Sequence, residues 1–141
     1  MDFDYYNYFD RNENWGDPDR MSPLILSSID IIRHLVGWPF VVHYGTQGEH
    51  SEGSTHYTGL AIDGHFVTDV PLYFQALRVM EKLHLVGLDK KMGIGLYPDW
   101  NSPGFHLDRR EELVRWGRIG LKYVSWISAL DYTHHDAIEV K

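Results

Sequence analysis

Two residues that could share a metal ion, His56 and Asp63, stand seven positions apart in the sequence. An imidazole nitrogen and a carboxylate oxygen are both ligands that zinc accepts. Gly59 and Ala61 lie between them. A glycine permits a sharp backbone path, and a small side chain leaves room for the two ligands to approach one centre. A loop of this type that enters a strand can deliver both ligands to one ion.

A third ligand is available in the run Phe-His-Leu-Asp at residues 105–108. The run predicts a strand, in which alternate side chains share a face, so His106 and Asp108 should point the same way. Two histidines and one carboxylate leave a fourth tetrahedral position for water, and zinc lowers the pKa of such water to about 7. These residues predict hydrolytic chemistry, with Asp108 as a neighbouring carboxylate.

The elements that must position these residues are helices and strands in no regular alternation. Ser22 and Pro23 begin a helix with apolar residues at steps of three and four, which ends at Gly37. A second helix opens near Pro71 and closes at Gly87. Short apolar runs predict strands at residues 39–44, 60–66, 92–97, 105–108 and 121–127. The mixture favours an α+β fold, a small and largely antiparallel sheet with flanking helices.

The composition is that of one globular domain. The chain of 141 residues is 43% hydrophobic and 14% aromatic, so we expect a single domain over residues 1–141 with its own core. Residues 1–20 carry aromatic rings among acidic and polar residues without periodicity. They predict an irregular N-terminal arm, fixed by rings such as Phe9 and Trp15. The composition leaves the oligomeric state open.

Charge, cysteine content and hydropathy exclude several classes of function. The net charge of −7 repels nucleic-acid backbones and anionic lipids, so neither nucleic acid nor a membrane is expected as a partner. The chain has no cysteine, which excludes thiolate nucleophiles, cysteine zinc sites and disulfides. Its first residues do not resemble a secretory signal, and no apolar run reaches the roughly 18 residues of a membrane span. We expect synthesis in a cytoplasm without a signal peptide.

A longer pattern contains these residues: Ser-x-His-x-x-Gly-x-Ala-x-Asp at residues 54–63, then an aromatic-His-x-Asp strand at residues 105–108. It resembles the zinc D-alanyl-D-alanine peptidase family. Relatives there include phage endolysins that cut L-alanyl-D-glutamate bonds, vancomycin-resistance dipeptidases and the signalling domain of Hedgehog. The motif Phe-x-Arg-x-Glu at residues 9–13 and the run at residues 92–98 follow that family's order. The resemblance covers nearly the whole chain, to about Trp126.

The resemblance implies a fold, a cofactor and a substrate. The fold would be Hedgehog/DD-peptidase-like, and a zinc ion would be bound by His56, Asp63 and His106. The activity would be that of a zinc metallopeptidase, an endopeptidase or a carboxypeptidase, acting on a peptide stem or cross-link of bacterial peptidoglycan. Such a protein fits a phage-encoded enzyme released at lysis or associated with the virion, and a bacterial cytoplasmic origin fits equally.

Two departures from the family pattern bear on catalysis. Many members carry a glutamate as general base three residues before the last histidine, where this sequence has Pro103. Asp108 is the nearest replacement, able to orient His106 or to accept a proton, and Asp99 and Glu52 are weaker alternatives. An arginine that follows the first strand in many relatives is also missing. The second interpretation is a non-catalytic, zinc-stabilised binding or virion-structural domain, and the third is a hydrolase of another small amide or peptide.

Several ring-bearing residues near these motifs have simpler structural interpretations. Aromatic side chains dominate burial in small domains, so four of them are expected in the core rather than in a binding groove: Trp100, Phe105, Trp116 and Trp126. His43 and His50 flank the expected site. Substrate contact is open for both, and ordinary hydrogen bonding or solvation is the simpler interpretation.

Overall fold

A computed structural model of the protein describes residues 2–48, 50 and 52–139. These residues form six strands and three α-helices: β1 (Phe40–Tyr44), β2 (Ala61–Phe66), β3 (Met92–Tyr97), β4 (Gly104–Arg109), β5 (Val114–Ile119) and β6 (Lys122–Ser125), with α1 (Pro23–Val36), α2 (Leu72–Leu85) and α3 (Trp126–Glu139). Single 3₁₀ turns stand at Phe3–Tyr5, Pro18–Arg20 and Thr55–Thr58. Among these described elements, no helix has both the length and the apolar character that a membrane crossing requires.

The six strands form one mixed sheet in the order β1-β2-β4-β3-β5-β6. Neighbouring strands are antiparallel except β3 and β5, which are parallel. The α+β class is confirmed, but the expectation of a small, largely antiparallel sheet is wrong. Strand β4 lies between β2 and β3. The short link at residues 110–113 passes the N-terminal end of β3, and β5 then runs parallel to β3 along its other edge.

Two C-terminal elements differ from the prediction. Strand β5 lies in a stretch that was expected to be a connection, and the strand expected at residues 121–127 is β6 followed directly by α3. A short apolar run cannot be assigned to a strand or a helix by periodicity alone. A capping signal for α3 does exist, because the Ser125 hydroxyl accepts a hydrogen bond from the Ser128 N–H at 3.1 Å.

Helix α1 follows its sequence signals. The Ser22 hydroxyl accepts a hydrogen bond from the Leu24 N–H at 3.2 Å, and Gly37 ends the helix with a left-handed φ of 83°. The residues at steps of three and four are buried: Ile25, Ile29, Ile32 and Val36. Helix α2 also forms where expected. Its Ala76, Val79 and Leu83 are buried, whereas Phe74 and Leu77 are 48% and 40% exposed.

The N-terminal arm is fixed to the domain by buried rings and by one carboxylate. Phe9 and Trp15 are buried, as expected. Asp30 of α1 accepts a hydrogen bond from the backbone N–H of Tyr8 at 2.9 Å. The Thr46 N–H donates to the Trp15 carbonyl at 2.7 Å, which ties the arm to the loop after β1. Apart from its two 3₁₀ turns, the described arm is irregular, and it packs as part of the domain.

We expect Gly59→Ala to destabilise the protein by at least about 2 kcal/mol. Gly59 has a φ of 70°, and an added Cβ would clash with the Arg20 carbonyl oxygen. Gly87→Ala is the matched control, since Gly87 has a φ of 74° and nothing within 4 Å of an added Cβ. It should lose only the conformational part, about 1 kcal/mol. Urea unfolding measures both, and equal losses would contradict the close approach.

Candidate metal centre

The sheet brings the three expected ligands to one point. Asp63 of β2 pairs directly with His106 of β4, and His56 reaches the same place from the turn Thr55–Thr58. The Asp63 Oδ1 atom lies 3.2 Å from His56 Nε2 and 2.9 Å from His106 Nδ1, and the two nitrogens are 3.2 Å apart. These separations suit three donors of one zinc ion, whose bonds to nitrogen and oxygen are about 2.0–2.2 Å long.

Both histidines have their other ring nitrogen held by a hydrogen-bond acceptor. His56 Nδ1 lies 2.8 Å from the Gly45 carbonyl oxygen, to which it can only donate. His106 Nε2 lies 2.7 Å from Asp108 Oδ2. These contacts turn His56 Nε2 and His106 Nδ1 toward Asp63, and partners of this kind orient metal-binding histidines in proteins. The donor set and its surroundings therefore fit a metal ion.

Asp108 is enclosed and bonded on both oxygens. It is 0% exposed, and Arg110 binds it with two contacts of 2.6 Å, Nε to Oδ1 and Nη2 to Oδ2. The Gly93 N–H donates to Oδ1 at 3.1 Å. Burial would raise the pKa of the Asp108 carboxyl, but hydrogen bonds from His106 and Arg110 outweigh burial and hold it far below its usual range. These contacts favour the ionised form of Asp108, and its Oδ2 atom lies where it can orient His106.

The electrostatics of the centre favour a positive charge between its carboxylates. Burial lowers the pKa of His106, but hydrogen bonds to Asp108 and Asp63 outweigh it and raise the pKa to about 9. Burial likewise opposes the charge of Asp63, and hydrogen bonds from His106 and His56 lower its pKa to about 2. The shifts show that a positive charge, a proton or a metal ion, is better tolerated here than an uncompensated pair of carboxylates.

His50 brings one more nitrogen to the centre. Ligand atoms of His50, His56 and Asp63 all lie within 4.8 Å of one another, so these three residues could also hold a metal ion. The His50 ring stacks on that of His56, with centroids 3.8 Å apart and planes at 9°. The sequence analysis placed His50 beside the site but did not predict this group, because no local spacing pattern indicates that the rings of His50 and His56 stack.

A wide cleft opens beside these ligands, and two of the four aromatic residues expected in the core line it instead. Phe105 and Trp126 are buried, but Trp100 and Trp116 belong to the cleft lining. Trp116 is there because it pairs with Gly95 of β3, which in turn pairs with His106. Its indole ring lies 5.1 Å from the His106 ring, between centroids. The expected core position is wrong for these two tryptophans, which are half-buried at the cleft.

The residues considered as alternative bases differ in position. Asp99 accepts hydrogen bonds from the Gly120 N–H at 2.6 Å and the Tyr132 hydroxyl at 3.1 Å, and it is not part of the cleft lining. Glu52 is exposed and lines the cleft. His43 Nε2 lies 2.6 Å from His65 Nδ1, so His43 is hydrogen-bonded as expected, although it also borders the cleft.

We expect His56→Ala and His106→Ala each to weaken zinc binding by more than about 100-fold, because each removes a donor atom. His50→Ala should weaken it far less, since its ligand atom is not within the closest triangle of donors. His84→Ala, on a histidine side chain that is 82% exposed, is the control. Zinc competition titrations measure the affinities. Loss of binding in His50→Ala with full binding in His106→Ala would instead place the metal on His50, His56 and Asp63.

We expect the centre to hold one metal ion per chain, and Asp108→Asn to weaken the binding of zinc there about 10–100-fold while one ion per chain still binds at saturation. The substitution keeps the shape of the side chain but removes the charge that holds His106 and pairs with Arg110. Asp99→Asn removes the same charge outside the cleft and should leave zinc affinity unchanged. Elemental analysis gives the stoichiometry and competition gives the affinity. An unchanged affinity in Asp108→Asn would exclude its role in orienting His106.

Comparison with known proteins adds no assignment to this geometry. No family model matches the chain, and searches of curated proteins and of solved structures find no match. The Hedgehog/DD-peptidase-like fold and the peptidase activity implied by the residue pattern therefore stay predictions.

Proposed function

We propose that this protein is a zinc-dependent peptidase that hydrolyses peptide stems or cross-links of bacterial peptidoglycan. The observation that carries the proposal is the triangle of donor atoms from His56, Asp63 and His106, with sides of 2.9–3.2 Å. The resemblance of residues 54–63 and 105–108 to the zinc D-alanyl-D-alanine peptidase family supports the substrate class. The open cleft beside the triangle would admit an extended peptide.

The donor set suits a catalytic zinc site rather than a closed structural one. Two histidines and one carboxylate are a ligand set that catalytic zinc sites use. An ion bound there would supply Lewis-acid chemistry, polarising the scissile carbonyl and making water reactive near neutral pH. The chain itself has to bind the peptide, orient the ligands and move protons.

Orientation of the ligands would be the task of Asp108, Arg110 and the Gly45 carbonyl. Asp108 and Gly45 hold the outer nitrogens of the two histidines, and Arg110 keeps Asp108 ionised and in place. Trp116 covers one side of His106 and donates its indole N–H to the Tyr97 hydroxyl at 3.1 Å. The two histidines are therefore held by Asp108 and the Gly45 carbonyl, and the cleft lies beside them.

Proton transfer is assigned to Glu52 in this proposal. A general base needs a free carboxylate oxygen that can reach the attacking water. Asp108 is enclosed and accepts hydrogen bonds on both oxygens, so it is poorly suited to that task. Among the described residues of the cleft lining, the carboxylates are Asp63 and Glu52, and Asp63 is a ligand. Glu52 would accept the proton of the water and pass it to the leaving amine.

A second function has one specific observation in its favour. His50 could occupy a coordination position of an ion bound to His56 and Asp63, and a zinc site with four protein ligands is structural rather than catalytic. The protein would then be a zinc-stabilised binding domain without turnover. Its thermal stability would fall on chelation, because an ion that binds the folded state stabilises it.

We expect the zinc-loaded protein to release defined peptide fragments from purified peptidoglycan, and His106→Ala to release none. Glu52→Gln should keep its zinc and lose about 10²–10⁴-fold in rate, the usual contribution of a general base. Glu111→Gln, at an exposed residue outside the cleft, is the control and should cleave normally. Mass spectrometry of the fragments identifies the bond.

The outcomes separate the two functions. Bound zinc with no fragments from any peptidoglycan preparation, together with a lower melting temperature on chelation, would favour the binding domain. Full activity in Glu52→Gln would exclude Glu52 as the base while leaving the peptidase in place.

A further inference from the structure

Arg118 of β5 is a cation in the cleft for which the described residues provide no hydrogen-bond acceptor and no carboxylate. It lines the cleft, and its Nε atom is buried with no hydrogen-bond acceptor in the part of the chain that the structure describes. Its guanidinium lies over the Tyr123 ring, 4.9 Å from the centroid. A buried donor without an acceptor costs free energy. The Nε atoms of Arg109 and Arg115 are in the same state, but of the three only Arg118 lines the cleft, where a ligand can supply the acceptor.

The other arginine of the described cleft lining is already neutralised. Arg110 is bound to Asp108 through two contacts of 2.6 Å, so the Asp108 carboxylate already neutralises its charge. Tyr97, beside Arg118, does not supply an anion either, because burial raises the pKa of its hydroxyl to about 12. In a chain of net charge −7, Arg118 is where the described cleft can attract a negative group.

The register of the sheet places Arg118 at a defined distance from the ligands. His106, Gly95 and Trp116 form one row across β4, β3 and β5, and Arg118 follows Trp116 by two residues on the same face. With strands about 4.8 Å apart and a rise of about 3.3 Å per residue, the Cα atoms of Arg118 and His106 are on the order of 12 Å apart. An extended peptide covers that span, less the reach of the arginine, in roughly two or three residues.

We propose that Arg118 binds a carboxylate of the substrate two or three residues from the cleaved bond; this specificity rests on the proposed peptidase function. A guanidinium presents donors in a planar fork that fits a carboxylate, which favours this ligand over a neutral amide. The guanidinium lies over the Tyr123 ring, and Trp116 lies between Arg118 and His106 in the register of the sheet. Stem peptides with a free carboxylate at that position are then substrates, and stem peptides in which it is amidated are poor substrates.

The test compares two soluble stem peptides that differ only in whether their carboxylates are free or amidated. Binding to the zinc-loaded protein is followed by tryptophan fluorescence. The wild-type protein should bind the free-carboxylate peptide about 10-fold or more tightly than the amidated one, the usual gain from a charged hydrogen bond. Arg118→Gln should remove the preference, and Arg118→Lys should restore part of it. Lys122→Gln, which removes an exposed positive charge on β6, should keep the full preference.

A second readout separates substrate binding from a merely structural role. In Arg118→Gln the zinc content should be unchanged, and hydrolysis of the free-carboxylate peptide should show a raised KM with little change in kcat. A preference that persists in Arg118→Gln, or no binding of either peptide to the wild-type protein, overturns the carboxylate site. Cleavage without any carboxylate preference leaves the peptidase and rejects the site. If the free-carboxylate peptide is preferred only when Arg118 is present, but neither peptide is cleaved, the peptidase function is rejected and the carboxylate site is kept.

Discussion

The register between β2 and β4 is the constraint on which the centre depends. Asp63 faces His106 across this pair, and the next residues along, Ile62 and Leu107, face each other on the opposite side. Ile62 and Leu107 are buried in the core, so their burial selects the register that also brings the ligands together. Because side chains alternate along a strand, a slip of one residue would put carboxylate and imidazole into the core. Hydrophobic packing on one face thus specifies the chemistry on the other.

The same alternation explains how far the sequence could predict the site. His56, Asp63 and His106 were recognisable because a strand and a glycine-bounded loop hold them at fixed spacings, and the structure brings these three residues together. The position of Trp116 was not recognisable. It depends on the order of the strands, and a β5 that reads Val-Arg-Trp-Gly-Arg-Ile has no apolar alternation to reveal it. The stacking of His50 on His56 could not be predicted either, because no local residue pattern encodes it.

Helix prediction shows the same division between local and non-local signals. Helix α1 has a serine cap, a periodic apolar face and a terminal glycine, so its bounds follow from nearby residues alone. Helix α3 begins immediately after β6, and the apolar run that spans the junction fits either element. The mixed sheet could likewise not be predicted from the sequence, because the parallel pairing of β3 and β5 depends on the position of β4 between β2 and β3.

Burying charged groups at the centre is tolerated because each has a partner. Asp108 is enclosed between a histidine and an arginine, and the arginine is itself held at the edge of the cleft. An isolated ion in such surroundings would be costly, and removing one member leaves the others uncompensated. Arg110, Asp108, His106 and Asp63 therefore form one hydrogen-bonded chain that reaches from the cleft lining to the ligand triangle.

The arm has a consequence for how the domain could be transplanted into another protein. Gly45, whose carbonyl orients His56, packs against the backbone of Trp15, and an added Cβ at Gly45 would contact the Trp15 carbonyl oxygen. The neighbouring Thr46 N–H donates to that same carbonyl. The first secondary-structure element with a clear sequence signal is α1, yet a graft cut there would lose the support behind a ligand. The smallest portable unit includes the irregular segment that looks most dispensable.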